Sequence, residues 1–400
     1  MRRFLCLGLL FVSLFSAFLG VNNTKFVKIS KFNDKNAVFA ETETVNLSLA
    51  ENAKSAYLID YETESVIFSK NENEELPIAS MTKMMSLSVV FDAIEEGKLK
   101  LEDKITISEN AANIEGSQAF LDAGASYLVS DLIKTIIISS ANDSTVALAE
   151  RVAGNEKNFA ILMNNKAKEL GLTHTNFKNS TGLPEDGHYS SAKDCALIYK
   201  NIASNEIYKN YAHIWMDKLV HPSGRETELV NTNRLVKTYQ GCASGKTGYT
   251  SEAGYCLTTS ATRNGTTLIA VVIGEKDSKT RFKEVSEMLD YGFANFSSRA
   301  FFMAKDNKQI IKVDGAKKEV IEAAPTEDYF VFSRINEKIE LDVNFIFEEN
   351  KAPIKIGQKV GYAVITNKDG VVIKEIEIIA TENAEKQNLF DALKKVLNKW

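Results

Sequence analysis

Apolar and polar positions along this chain follow two rhythms, and the changes between them divide it. Ser55–Asp60 and Ser65–Phe68 carry short apolar runs around the polar Glu62–Glu64, which predicts two strands and a turn. From Ser80 to Ile202 the apolar positions recur at helical spacing. The run from Met81 to Glu96 has Pro77 before it and Gly97 after it, the usual punctuation of a helix. Val129–Ser139, with Leu132, Ile133, Ile136, Ile137 and Ile138, and Ser144–Val152 predict two more helices. Strand rhythm returns from Gly241 to Gly274, and Glu284–Phe296 predicts a closing helix. Strands from both ends of this region meeting in one antiparallel sheet, with helices packed on it, make an α+β fold.

Beyond Phe301 the pattern shortens to strands at Ile310–Val313, Val320–Ala323, Tyr329–Phe332, Ile339–Val343 and Val360–Ile379, the last broken by the turn Asn367-Lys-Asp-Gly370. This predicts a small all-β domain, and it holds no cluster of reactive side chains. The tail places Leu389, Leu393, Val396, Leu397 and Trp400 on one helical stripe, with Lys394, Lys395 and Lys399 around it; the stripe alone predicts an amphipathic helix docked on protein, while the terminal position, basic charge and final Trp turn the expectation toward a membrane surface. At the other end Arg2 and Arg3 precede the apolar Phe4–Leu19, which reads as an export leader; Val38-Phe39-Ala40 offers a small-residue cleavage site, but far beyond Leu19, so an uncleaved anchor stays open. The expected divisions are a leader over residues 1–40, a catalytic domain over 41–300, a small β domain over 301–380 and the helix over 381–400.

Composition narrows the classes. A net charge of -5 over 400 residues argues against a nucleic-acid partner. Cys6 belongs to the leader, and Cys195, Cys242 and Cys256 have no paired spacing, so they are expected as buried free thiols. His174, His188, His213 and His221 form no ligand pattern and read as surface or loop residues. No metal and no cofactor is implied.

The candidate chemistry lies in three short strings in fixed order: Ser80-Met-Thr-Lys83, Ser140-Ala-Asn142 and Lys246-Thr247-Gly248. Each alone is weak, since Ser-x-x-Lys recurs at Ser190 and Lys193 without chemical surroundings. A serine hydroxyl needs a base beside it, and a lysine serves as one only if burial or a second cation lowers its pKa. Met81, Met84 and Met85 supply the apolar surroundings, and Lys246 the second cation. Ser140 and Asn142, where two helices meet, have short groups suited to passing a proton and holding a carbonyl. Gly245-Lys-Thr-Gly248 is not a phosphate loop, because three residues, not four, separate Gly241 from Gly245 and strands follow it. Lys246 is therefore expected on a strand, facing a carboxylate.

With these strings the chain resembles the penicillin-recognising serine enzymes. More narrowly, it is similar to the low-molecular-mass penicillin-binding proteins that are serine-type D-alanyl-D-alanine carboxypeptidases. Phe177-Lys-Asn-Ser-Thr-Gly182-Leu183, Tyr189-Ser-Ser-Ala, Asn233-Arg-Leu235, Ala253-Gly-Tyr255 and Arg281-Phe282 share in the likeness, which is close from Asn46 to Phe296. The resemblance implies that Ser80 attacks the penultimate D-Ala carbonyl of a peptidoglycan stem peptide, with Lys83 as its base. It implies Ser140 as the relay to the leaving amine and Asn142 as a positioning group. Lys246 and Thr247 would bind the terminal carboxylate, and the amides of Ser80 and Tyr249, just past Gly248, would form the oxyanion hole. Arg281 and Arg234 are expected as loop residues making secondary anion contacts. The implied partners are stem peptides, β-lactams as acylating inhibitors, and the outer face of the cell membrane. A class A β-lactamase would need a Glu-x-x-Leu-Asn string, which Leu170–Gly182 lacks. A DD-endopeptidase cutting cross-bridges would use the same residues and stays open, as does a silent cell-wall binding protein, although no motif residue is missing.

Overall fold

In the computed structural model, which describes residues 48–348 and 350–391, two helical layers form on the two faces of one sheet. The chain enters through β1 (Ser55–Asp60) and β2 (Val66–Lys70), then passes α1 (Lys83–Glu95), β3 (Lys104–Thr106), α2 (Glu109–Ala112), β4 (Ser126–Leu128), α3 (Val129–Ser139), α4 (Asn142–Ala153), α5 (Glu156–Glu169), α6 (Ala192–Ala203) and α7 (Glu206–Ala212). It returns through β5 (Met216–Val220), β6 (Glu226–Val230), α8 (Leu235–Thr238), β7 (Cys242–Thr250), β8 (Gly254–Arg263) and β9 (Thr266–Glu275), and α9 (Ser278–Asn295) closes it.

β9 is apolar on both faces, so it sits in the middle of the sheet β2-β1-β9-β8-β7, antiparallel throughout. Its side chains alternate between two cores. Ile269, Val271 and Ile273 join Tyr57 and Ile59 against the helices, while Leu268, Ala270 and Val272 join Leu58 against α9. α1 is buried nearly all round, from Lys83 to Phe91, as a helix at the centre of a bundle must be.

A second five-stranded sheet, in the order β11-β12-β16-β15-β14, follows with its own core. Its strands are β11 (Gln309–Lys312), β12 (Val320–Pro325), β14 (Leu341–Phe347), β15 (Lys359–Asn367) and β16 (Val372–Ala380). The strand expected at Tyr329–Phe332 in the small domain is β13 (Tyr329–Arg334), which pairs instead with β10 (Phe296–Phe302), a strand the sequence pattern did not reveal. The expected change of domain at residue 301 therefore falls inside β10, whose Ser298 hydroxyl donates to Asp60 at the end of β1, at 3.2 Å.

Other expectations need correcting. The expected helix does not begin at residue 381: Ala384 and Lys386 bridge to Ile354 and Ala316, and helical backbone starts at Leu389. The leader and the remainder of the tail lie outside the described residues. The closing helix starts six residues early because Asp277 caps it, accepting the amide of Thr280 at 2.7 Å. Arg281 thus lies in a helix, not a loop. His188 and His221 lie in loops, but buried rather than at the surface. His188 Nε2 meets Thr82 Oγ1 at 2.8 Å, and His221 Nδ1 meets the Tyr127 hydroxyl at 2.7 Å. Cys195, Cys242 and Cys256 are buried free thiols.

Candidate active site

Ser80 is carried by a single 3-10 turn, Ala79–Thr82, set in front of α1 rather than in the first turn of the helix itself. Ala79 takes a positive φ of 47°, which sets the direction of the turn after Ile78 and presents Ser80, half-buried, to the cleft. Lys83, the first residue of α1, stands one turn behind it. Its ammonium nitrogen is 2.8 Å from Ser80 Oγ and 2.9 Å from the Thr181 carbonyl, and none of its surface is exposed. Burial, then the nearby charge of Lys246, holds Lys83 well below the ordinary lysine range, with Asp143 pulling weakly the other way.

The second string sits between α3 and α4. Ser140 ends α3 in a left-handed conformation, φ 65°. An L-residue adopts that conformation at a cost of roughly 1–2 kcal/mol. The kink turns the chain sharply into α4, whose first turn carries Asn142 and Asp143. Asn142 is thus within the helix, not in the junction between the two helices. Asn142 Nδ2 donates to the Glu115 carbonyl at 2.6 Å, and its Oδ1 is buried without a hydrogen-bond partner among the described residues. An orphaned buried amide oxygen is costly unless something arrives to donate to it. The Asp143 carboxylate accepts the amides of Ala119 and Leu121, both at 3.0 Å, and so fastens the loop lining this side.

Lys246, Thr247 and Gly248 lie on the edge strand β7, with Lys246 opposite Thr258 of β8. Lys246 Nζ donates to Ser140 Oγ at 2.7 Å and to the Thr247 carbonyl at 2.9 Å. Burial, reinforced by the charge of Arg281, lowers it to about 7. Because the ammonium donates to Ser140 Oγ, the hydroxyl proton of Ser140 is free to point into the cleft. Gly248 lets β7 press on the nucleophile turn: a Cβ there would lie 2.5 Å from the Ile78 carbonyl. Tyr249 follows with an exposed ring leaning on Tyr255, centroids 4.3 Å apart.

All three strings converge on one cleft. Arg281 is turned inward, buried, donating to the carbonyls of Gly248 and Cys256 at 3.2 Å each, and so acts on the end of β7 from behind. Arg234 is exposed and lies over the ring of Phe282. Thr181, whose carbonyl takes the second hydrogen bond of Lys83, was quoted within Asn-Ser-Thr-Gly182 but not assigned a role. No pattern of residue types marks a backbone acceptor.

A serine paired with a buried amine, a second serine paired with a second amine, and an edge strand beside them define an acyl-transfer enzyme of the penicillin-recognising serine class. A model of the D-alanyl-D-alanine carboxypeptidase family matches residues 38–277, and one of the penicillin-binding protein 5 C-terminal domain matches residues 296–386. The chain belongs to the D-alanyl-D-alanine carboxypeptidase family and is a serine-type carboxypeptidase. It is 40% identical over 358 residues to D-alanyl-D-alanine carboxypeptidase DacF of Bacillus subtilis, spanning 88% of this chain and 91% of that one. The structure of penicillin-binding protein 5 from Haemophilus influenzae is 30% identical, with a TM-score of 0.67 over 84% of this chain and 98% of its own. Penicillin-binding protein D2 of Listeria monocytogenes, solved in an ampicillin-bound form, is 29% identical with a TM-score of 0.55, over 62% of this chain and 99% of its own.

Proposed function

We propose that the chain removes the terminal D-Ala of peptidoglycan stem pentapeptides, outside the cytoplasm, through an acyl-enzyme on Ser80. The observation that carries this is the 2.8 Å contact between Ser80 Oγ and a lysine amine whose pKa burial and a second cation hold well below the ordinary lysine range. Lys83 takes the hydroxyl proton as Ser80 Oγ bonds to the carbonyl carbon of the penultimate D-Ala. The oxyanion is received by the amides of Ser80 and Tyr249. The carbon–nitrogen bond then breaks as Ser140 delivers its hydroxyl proton to the leaving D-Ala nitrogen, and the proton taken up by Lys83 passes to the Ser140 oxygen in its place. Lys246, through its ammonium, and Thr247 receive the terminal carboxylate, while the free Oδ1 of Asn142 accepts a peptide N–H. Water hydrolyses the ester and restores Ser80. Tyr249 and Arg281 shape the carboxylate end of the cleft, Tyr249 at its rim and Arg281 through the carbonyl of Gly248.

β-Lactams enter the same cleft as acylating inhibitors. Benzylpenicillin is expected to leave a persistent adduct on the mature protein, read by intact mass over time, that Ser80→Ala lacks. Turnover fast enough to clear a molar excess of drug would overturn the carboxypeptidase reading in favour of a β-lactamase. Neither adduct nor drug loss would mean a silent scaffold. Release of free D-Ala from a pentapeptide, but none of the product of cross-bridge cleavage, separates the carboxypeptidase from a DD-endopeptidase.

Among the described residues no helix is long and apolar enough to cross a membrane. We place the tail on the membrane surface, with Leu389 and Phe390 exposed at its start. Deleting Leu389–Trp400 spares the bridged Ala384 and Lys386, and is expected to release leader-free protein from membranes in a flotation assay. Continued association would sink this placement.

A further inference from the structure

The second hydrogen bond of Lys83 goes to a carbonyl that is itself held from several sides. Thr181 belongs to the turn Asn179-Ser-Thr-Gly182, in which Ser180 and Thr181 are buried. Asn179 Oδ1 accepts the amide of Gly182 at 2.8 Å, and the Ser86 hydroxyl of α1 donates to the carbonyl of Ser180. The remaining tie comes from α5, outside the three motifs. The Ser180 hydroxyl donates to the carboxylate of Glu156, which also accepts the Ser180 amide at 3.3 Å. Glu156 is the first residue of α5, and its carboxylate is the acceptor in both of these bonds.

We propose that Glu156 is a positioning residue for this reaction: by gripping Ser180 it fixes the Thr181 carbonyl, and through that carbonyl it aims the Lys83 amine at Ser80 and keeps it dry. The inference rests on Lys83 being the base. An amine that gives one N–H to the Thr181 carbonyl at 2.9 Å is held with its nitrogen against Ser80 Oγ at 2.8 Å, where its lone pair can meet the hydroxyl proton. Loosening the turn frees the amine to rotate and admits water, which restores solvation of the charged form. The charges acting on Lys83 are Lys246 from β7, which disfavours its protonation, and Asp143 from α4, which favours it. His188, beside Thr82, is kept neutral by burial, which pulls it to about 4. Glu156 acts through contact, so a neutral residue offering the same oxygen should replace it.

The test is the rate constant for acylation by a fluorescent penicillin across pH, on the whole mature protein, with unfolding temperature measured alongside. Glu156→Ala and Ser180→Ala are each expected to lower it roughly tenfold near neutrality, the scale of a small misplacement of a reacting group. Both should also move the acid limb of the profile to higher pH. Glu156→Gln should stay within about twofold of wild type with its limb in place, and the double alanine variant should be no worse than Glu156→Ala alone. Ser180→Ala removes a single oxygen and keeps the test valid should Glu156→Ala unfold. A limb left in place by both alanine variants overturns the proposal, as does an equal loss in folded Glu156→Gln. If wild-type acylation has no acid limb, the reading of Lys83 as base falls as well.

Discussion

Replacing Lys83 with methionine is expected to slow acylation of Ser80 by penicillin roughly a thousandfold, the scale of losing a positioned general base, while leaving the unfolding temperature at pH 7 unchanged or higher. Methionine matches lysine in length and shape, so it fills the enclosed space that the Lys83 side chain occupies without leaving a cavity. The stability half follows from linkage. Lys83 titrates well below its unfolded value, so between the two pKa values the unfolded chain binds a proton that the native one does not. Stability therefore rises with pH across that window, and below it the buried amine counts against the fold. Methionine removes this dependence. Denaturant unfolding at pH 7 and pH 10 should show a smaller gain for the variant than for wild type. A variant that acylates at the wild-type rate would remove Lys83 from the mechanism.

Gly182→Ala should damage the fold and the site together. Gly182 has φ +83°, and a Cβ there would lie 1.9 Å from the Ala79 carbonyl and 2.7 Å from Thr82 Oγ1. The atom in the way is backbone, on the turn that carries Ser80, so relief means moving the nucleophile. Left-handed strain and overpacking together cost about 2–6 kcal/mol, and penicillin labelling of the folded fraction should fall with it. Gly97 makes the control, since at φ +73° it has nothing within 4 Å of its Cβ direction. Gly97→Ala is expected to lose only the strain, about 1–2 kcal/mol, with labelling intact. Equal losses at the two sites, measured by urea unfolding, would show that the contact with Ala79 does not matter.

The site was legible where chemistry is written in side chains. Ser80, Lys83, Ser140 and Lys246 stand in ordered strings, and the pattern alone placed Lys246 on a strand. What the sequence hid is mostly backbone: the Thr181 acceptor, and the 3-10 turn that displaces Ser80 from α1. Arg281 was misplaced because the helix was read from its apolar stripe, which begins late, whereas its start is set by the Asp277 cap. His188 and His221 were misread because a buried histidine reveals itself through its partners, Thr82 and Tyr127, which are distant in sequence. β10 escaped notice because it follows α9 without a turn. Its partner β13 was then assigned to the wrong sheet, pairing being a long-range property that strand rhythm does not encode.

The close fit of β7 against the nucleophile turn bears on how such a cleft can evolve under antibiotics. Gly245 and Gly248 have no room for a side chain, and Lys246 and Thr247 are enclosed. A lineage exposed to a new β-lactam thus has few substitutions open to it along this strand. Tyr249 stands apart, 56% exposed and resting on Tyr255. Drug discrimination has most freedom to drift at that rim, while the residues beneath it hold the fold and the chemistry constant.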